Sequence, residues 1–431
     1  MKKIVYIISV AILLVTSLTA QLPVPAGPQI QAIALTGVTA HLGTGQVITN
    51  ATIVFNQGKI TAVGSSVAVP AGAEVINLQG KHVYPGFILV NTQLGLTEVS
   101  SIRAMADQQE TGNFNPNIRS VISYNTDSNV PPTLRFNGIC LAEVAPVGGT
   151  ISGTSSVMEM DGWNWEDAVH SMDIAIHLNW PAKQRRQFDF NTFSINMVPN
   201  DQYTKEVEEM NRNFSEALAY GQSSPTVKNL KMEAMQGLFS GQKTLMIHAN
   251  EAKEIIESVR FAQEKKVKKV VIVGAENGLA AAAFLKDNHI PVILPSPHNL
   301  PGRVDDDVDL FYKLPYLFHQ QGVSVVLMHN DDNARSRNLP YYAGTAAAYG
   351  LDKEEALKTI TGNAARALGI DQRVGTIEVG KDATLFVSEG DALDMRTNQA
   401  IHVFIRGKKV NLETHQEALY KKFADKYGIP K

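Results

Sequence analysis

The chain has 431 residues, 39 Lys and Arg against 42 Asp and Glu, and a formal charge of −3, a balance that offers no basic stripe for nucleic acid. Its length supports a large core plus a smaller domain. The single cysteine, Cys140, excludes an intrachain disulfide; within FNGICLAEVAPV it reads as an inert small hydrophobe in a buried strand.

Lys2 and Lys3, the apolar run Ile4 to Leu14 and the small residues around Ser17-Leu18-Thr19-Ala20 predict a secretory signal peptide over 1–20 and export to the periplasm or beyond. The run is too short to span a bilayer, and no other stretch supplies eighteen apolar residues. Residues 33–78 are strand and turn throughout. IALTGVTAHLG, ATIVFNQGKITAVG and AEVINLQG are β-branched runs, and Asn56-Gln57-Gly58-Lys59 predicts a hairpin turn. The same texture returns in GTIEVGKDATLFVSEG and AIHVFIRGKKVNL, so segments 21–82 and 370–413 are expected to build one composite β-sandwich domain. Residues 83–369 then form an α/β barrel with an insertion around 147–240, and 414–431 a C-terminal helix or tail.

The stretch GKHVYPGFILVNTQLGL, 80–96, is an apolar strand that turns polar at Asn91, Thr92 and Gln93, as a barrel strand does where it meets a site. It resembles the first barrel strand of the metal-dependent amidohydrolases. There, Pro-Gly-Phe-Ile-Asp precedes a His-x-His pair that binds metal. GLDKEEALKTITGNAARALGI and VGTIEVGKDATLFV resemble the closing segments of the imidazolonepropionase-like branch of that superfamily. The resemblance covers roughly 30–95 and 240–412 and implies a (β/α)8 TIM-like barrel.

In the middle of the chain, GICLAEVAP at 138–146 is a strand followed by a Gly-, Ser- and Thr-rich stretch that reads as a long loop or hairpin excursion. Trp163, Trp165 and Trp180 are expected to pack an excursion onto the barrel. Lys205 to Tyr220 is an amphipathic surface helix. Beyond it come strands ending at His248, at Gly274, in HIPVILP and in GVSVVLMHNDD, alternating with helices, the first of them capped by Asn250. Asp352 with Glu355 makes a capping box, and Gly369 closes the last helix. Barrel strands three and four have no assignable sequence. Asp305, Asp306, Asp307 and Asp309 read as a solvated loop with a helix-start charge preference rather than a calcium site.

The resemblance implies metal ligands at strand ends. Carried over residue by residue, strand one offers Asn91 and Gln93, strand five His248, strand six Gly274 with Glu276 two residues on, and strand eight Asn330 with Asp331 next. Amide side chains bring no charge to a cation, and asparagine is no base near pH 7. The inherited site therefore reads as dismantled. A rebuilt site draws on His248, Glu276, His298, His329, Asp331 and Asp332. Its expected catalytic groups are His248, Glu276, His329 and Asp331, with His248, Glu276 and Asp331 around one divalent ion such as zinc. Without a metal, Asn91, Gln93, Arg335 and Arg337 are the expected ligand-binding groups for a small polar molecule, the arginines either holding an anionic group or neutralising Asp331 and Asp332. Three readings stay open. One is a cofactor-free binding protein with a degenerate metal site, one a working hydrolase of non-peptide C–N bonds with a non-standard metal set, and one a structural envelope protein. A homo-oligomer or a paralogous partner is compatible with each.

Overall fold

The computed structural model describes residues 24–190, 193–223, 226–302 and 306–429; the expected signal peptide and Asp305 lie outside the described residues. Both chain ends contribute to one eight-stranded sheet. Ile33–His41, Val47–Asn56, Lys59–Gly64, Glu74–Asn77 and His82–Pro85 come from one end, and Leu385–Ser388, Ala400–Ile405 and Lys408–Val410 from the other. The seam is antiparallel, with Phe386 opposite Tyr84 and Val387 opposite Val83. Gln57 and Gly58 both take positive φ, 49° and 77°, which is the twist a two-residue hairpin needs. Leu35, Ile53, Phe55, Leu385 and Phe404 form this domain's buried core.

The apolar run after Gly80 serves two domains. Its first half, His82–Pro85, belongs to the composite sheet; its second half is β1 (Phe87–Thr92), the first barrel strand. Gly86 makes the crossing possible, since a Cβ there would lie 2.7 Å from Cys140 Cβ. Cys140 itself is fully buried, and burial pushes its thiol far above the usual range. The barrel continues with β2 (Ile139–Val144), β3 (Ile151–Glu159), β4 (Val169–Asn179), β5 (Thr244–Glu251), β6 (Val270–Asn277), β7 (Val292–Leu294) and β8 (Val325–Leu327), each bonded to the next.

The third and fourth strands come from the stretch expected to be an insertion. All nine residues of β3 are buried. This strand runs antiparallel to both neighbours, Leu141 facing Glu159 on one side and Ile151 facing Leu178 on the other. Link length dictates the direction. Six residues join β2 to β3, and a parallel crossover needs a dozen or more. After β4 comes a hairpin, Gln184–Asp189 with Ser194–Pro199, that pairs with no other strand. Helices α1 (Tyr203–Gln222) and α2 (Leu230–Ser240) then return the chain to β5, with Met210 and Phe214 inward from α1. Helix α3 (Ala252–Glu264) follows β5.

Between β8 and β1 the ring is completed by a loop rather than by strand pairing. Leu327 N–H donates to Thr359 C=O at 3.2 Å and Ile88 N–H to Ile360 C=O at 2.9 Å, so both exposed edges are met. Of the later caps, the N-cap at Asp352 and the glycine stop at Gly369 are formed, while Glu355 pairs with Lys358 at 2.7 Å and does not close the expected box. Asp352 accepts from the Glu354 and Glu355 amides, and Gly369 ends its helix at φ 70°. Of the three tryptophans only Trp180 is buried, edge-on to Phe261; Trp163 is exposed. Among the described residues no helix is long and apolar enough to cross a membrane.

Candidate functional site

The C-terminal ends of β4, β5, β6 and β8 open on a cleft of about 1090 Å³ at the barrel mouth. Asn179, His248, Gly274, Met328 and Asn330 lie at or just beyond those strand ends and line it. The hairpin contributes Arg186 and Met197, and the start of α3 contributes Ala252, Lys253 and Glu254. Glu276 also faces the cleft; burial raises its carboxyl above the ordinary range, against the pull of Arg186. Arg186 makes no direct ion pair among the described residues. Lys183, by contrast, is paired with Glu257 at 2.5 Å.

Behind His248 runs a buried polar chain drawn from five consecutive strands. His248 Nε2 lies 3.0 Å from His177 Nδ1 on β4. His177 Nε2 is 2.9 Å from Glu143 Oε1 on β2 and 3.0 Å from Ser155 Oγ on β3. The Asn91 N–H on β1 donates to Glu143 Oε2 at 2.6 Å. Glu143, Ser155 and His177 are all 0 % exposed, so each polar group must find its partner inside the protein. Burial by itself would raise the Glu143 carboxyl. The charge and hydrogen bond of His177, with Ser155 and the Asn91 amide, outweigh it and hold the group below the ordinary carboxylate range. His248 is pushed down to about 3, chiefly by burial and then by His177, and so stays neutral at physiological pH. With Nε2 committed to His177, Nδ1 is the nitrogen His248 has left for a ligand.

Residues 318–410 match the amidohydrolase family. The fold superposes on an amidohydrolase from Thermotoga maritima MSB8 with a TM-score of 0.76 at 22% identity, covering 88% of this chain and 99% of that one. The chain shares its fold with an amidohydrolase. A prolidase complexed with N-methylphosphonate-L-proline gives a TM-score of 0.55 at 17% identity over 88% and 99% of the two chains, and molinate hydrolase gives 0.54 at 15% over 89% and 95%. No curated protein gives a significant match.

A metal is what the resemblance of the first barrel strand to the metal-dependent amidohydrolases would place at these strand ends, and the donor set here does not fit one. Among the described residues no three His, Cys, Asp or Glu side chains gather as a metal site. The strand-five histidine has its Nε2 turned to His177. At strand six, Gly274 sits at φ 107°, a conformation L side chains rarely adopt, and a Cβ there would meet Asn250 Oδ1 at 2.3 Å. Asn250 thus fills the space beside the glycine; it does not cap α3, whose N-cap is Glu251 without a side-chain bond. At strand one, Asn91 takes φ 51°, which asparagine tolerates, and its Nδ2 lies 3.4 Å from Met328 Sδ. At strand eight, Asn330 Oδ1 accepts from the Ser296 amide at 3.1 Å.

The expected rebuilt triad of His248, Glu276 and Asp331 is not assembled in this amidohydrolase fold. His248 and Glu276 share the cleft, but Asp331 is exposed and paired with Arg335 at 3.0 Å away from its lining. His329 is not free for catalysis either. Its Nδ1 is 2.8 Å from the Tyr342 hydroxyl and its Nε2 is 2.8 Å from the Asp332 carbonyl, so it is a buried loop-holding residue. His298 bonds Thr345, and Asp332 caps the turn at Asn333–Asn338. The expected ligand groups Asn91, Gln93, Arg335 and Arg337 do not line the cleft. Gln93 and Arg337 offer their carbonyls to Asn333 and Asn137. Among the described residues the arginine that lines the cleft is Arg186, from the stretch without assignment. Sequence reasoning also passed over Glu143 and His177. The signal for His177 was present, because VHSMDIAIHLN alternates like a strand and turns polar at its end, as the strand before His248 does.

Proposed function

We propose that the barrel-mouth cleft binds a small polar or zwitterionic molecule without metal-assisted hydrolysis, in a chain exported to the cell envelope. One observation carries the reading. The strand-six ligand position is a glycine in a left-handed conformation with Asn250 packed into the space a histidine would need. The rest of the lining suits recognition. Arg186 is available for a carboxylate, Glu276 for an ammonium or amide donor, the Asn250 amide for either, and neutral His248 for a hydrogen bond of fixed direction.

The reading is tested by calorimetry against N-acetyl amino acids, dipeptides and substituted ureas, with product analysis on the same samples. Saturable binding without turnover is expected. A charge-assisted bond contributes roughly 1.5–3 kcal/mol, so Arg186→Ala should weaken a carboxylate-bearing ligand by about 10- to 150-fold. Zinc-dependent turnover of any of these compounds would refute the reading and make the chain a hydrolase of C–N bonds.

A further inference from the structure

The hairpin beside the cleft carries a face that its sequence encodes as buried and its fold leaves open. Across the two strands Arg186 faces Met197, Phe188 faces Ile195 and Asp189 faces Ser194. Alternation therefore puts Gln184, Arg186, Phe188, Ile195, Met197 and Pro199 on one face, with Arg185, Gln187, Asp189, Ser194, Asn196 and Val198 on the other, and Phe190 and Phe193 stand just beyond the strand ends. Their rings gather on Phe188, which stands edge-on to Phe190 at 5.0 Å and to Phe193 at 6.2 Å. Yet Phe188 is 45%, Phe190 78%, Phe193 81%, Ile195 63% and Met197 57% exposed. Period-two alternation through Phe188, Ile195 and Met197 is the pattern of a strand with one covered face, and an isolated two-stranded hairpin is marginal in water.

We infer that this face is covered by the same face of a second copy of the chain, the two hairpins packing across a two-fold axis. Area favours that occupant. At about 150–250 Å² per aromatic side chain, and somewhat less for Ile and Met, one arm offers on the order of 600 Å² of exposed apolar side chain. Two arms together reach the ~1,200 Å² at which specific interfaces begin. The face is also self-complementary in kind. Packed antiparallel, the aromatic tip of one arm lies over Met197 and Arg186 of the other, contacts that sulfur and guanidinium make favourably with rings. Arg186 and Met197 line the cleft, so the partner's tip covers part of each mouth. The inference stands whether or not the cleft binds a small molecule.

Sedimentation equilibrium on the full mature chain at 1–50 µM tests it, beside the double variant Phe190→Asp, Phe193→Asp. The wild type should be a dimer and the variant a monomer, with the same far-ultraviolet circular dichroism and with a concentration-dependent thermal midpoint in the wild type alone. With p-benzoylphenylalanine in place of Phe193, the wild-type dimer should cross-link to a peptide from 184–199 of the second copy. A monomeric wild type overturns the inference, as does a dimer that survives the double substitution. A monomer that co-sediments with phosphatidylglycerol vesicles through Phe190 and Phe193 also overturns it, by assigning the face to a lipid surface.

Discussion

Glu143→Gln isolates the buried chain behind His248. The wild-type carboxylate, fully buried, accepts from the Asn91 amide on one oxygen and from His177 on the other. A carboxamide keeps one acceptor oxygen, so one of these two donors must face an NH2 group. An unsatisfied buried donor costs about 1–3 kcal/mol, and the loss of the anion opposite His177 adds to it. Glu143→Ala removes both acceptors and should approach the ~3–5 kcal/mol of a broken buried pair. The assay is urea denaturation followed by tryptophan fluorescence at pH 7 and again near pH 3.5. Because the folded carboxyl titrates below its unfolded value, its contribution is present above the unfolded pKa and fades as the pH falls through the folded one. The gap between wild type and Glu143→Gln should therefore shrink in acid. A Gln variant within about 0.5 kcal/mol of wild type at pH 7, or a gap that widens in acid, would refute the assigned network.

Three other expectations follow from the same contacts. His329→Phe removes the partners of the Tyr342 hydroxyl and the Asp332 carbonyl and should cost roughly 1–3 kcal/mol in the same urea assay while leaving ligand affinity in the cleft unchanged; a change in affinity with no loss of stability would return His329 to the site. Gly274→Ala should cost roughly 1–3 kcal/mol from its left-handed backbone, read by calorimetric unfolding, and a neutral result would remove the obstacle to a strand-six ligand. Truncation after Gly369 removes Leu385–Ser388, the partner of His82–Pro85, and should yield aggregated protein in a solubility and circular-dichroism test; a soluble, cooperatively folding product would contradict the composite sheet.

What could be read in the sequence follows where local pattern decides structure. The turn at Gln57-Gly58, the strand before His248 and the N-cap at Asp352 depend on neighbours in the chain, and each stands where its pattern places it. Strand β3 escaped because ISGTSSVME resembles a loop in composition. Ser152, Thr154, Ser155 and Ser156 are nevertheless buried, and their hydroxyls find partners inside, Thr154 donating to the Pro116 carbonyl at 2.8 Å and Ser155 Oγ lying 3.0 Å from His177 Nε2. The six-residue link before it already excluded a parallel crossover, so its direction was legible even though its burial was not. The apolar run after Gly80 read as a single strand because the division at Gly86 is set by Cys140 and Thr384, distant in sequence. The candidate site divides the same way. Ligand positions could be named from strand ends, but whether Asp331 turns toward His248 or toward Arg335 is fixed by the loop after β8, which pairs it with Arg335. Glu143 looked like one polar residue in an apolar strand, and only the register of five strands makes it the anchor of His177.

Elemental analysis of the protein, purified without chelators and dialysed against micromolar zinc, manganese and iron in turn, addresses the substituted metal site most directly. Asn91, Gly274 and Asn330 at the ligand positions, with His248 Nε2 committed to His177, lead to well under one tenth of an equivalent of any of these metals after gel filtration. Close to one tightly held equivalent per chain, lost together with His248→Ala, would contradict the account.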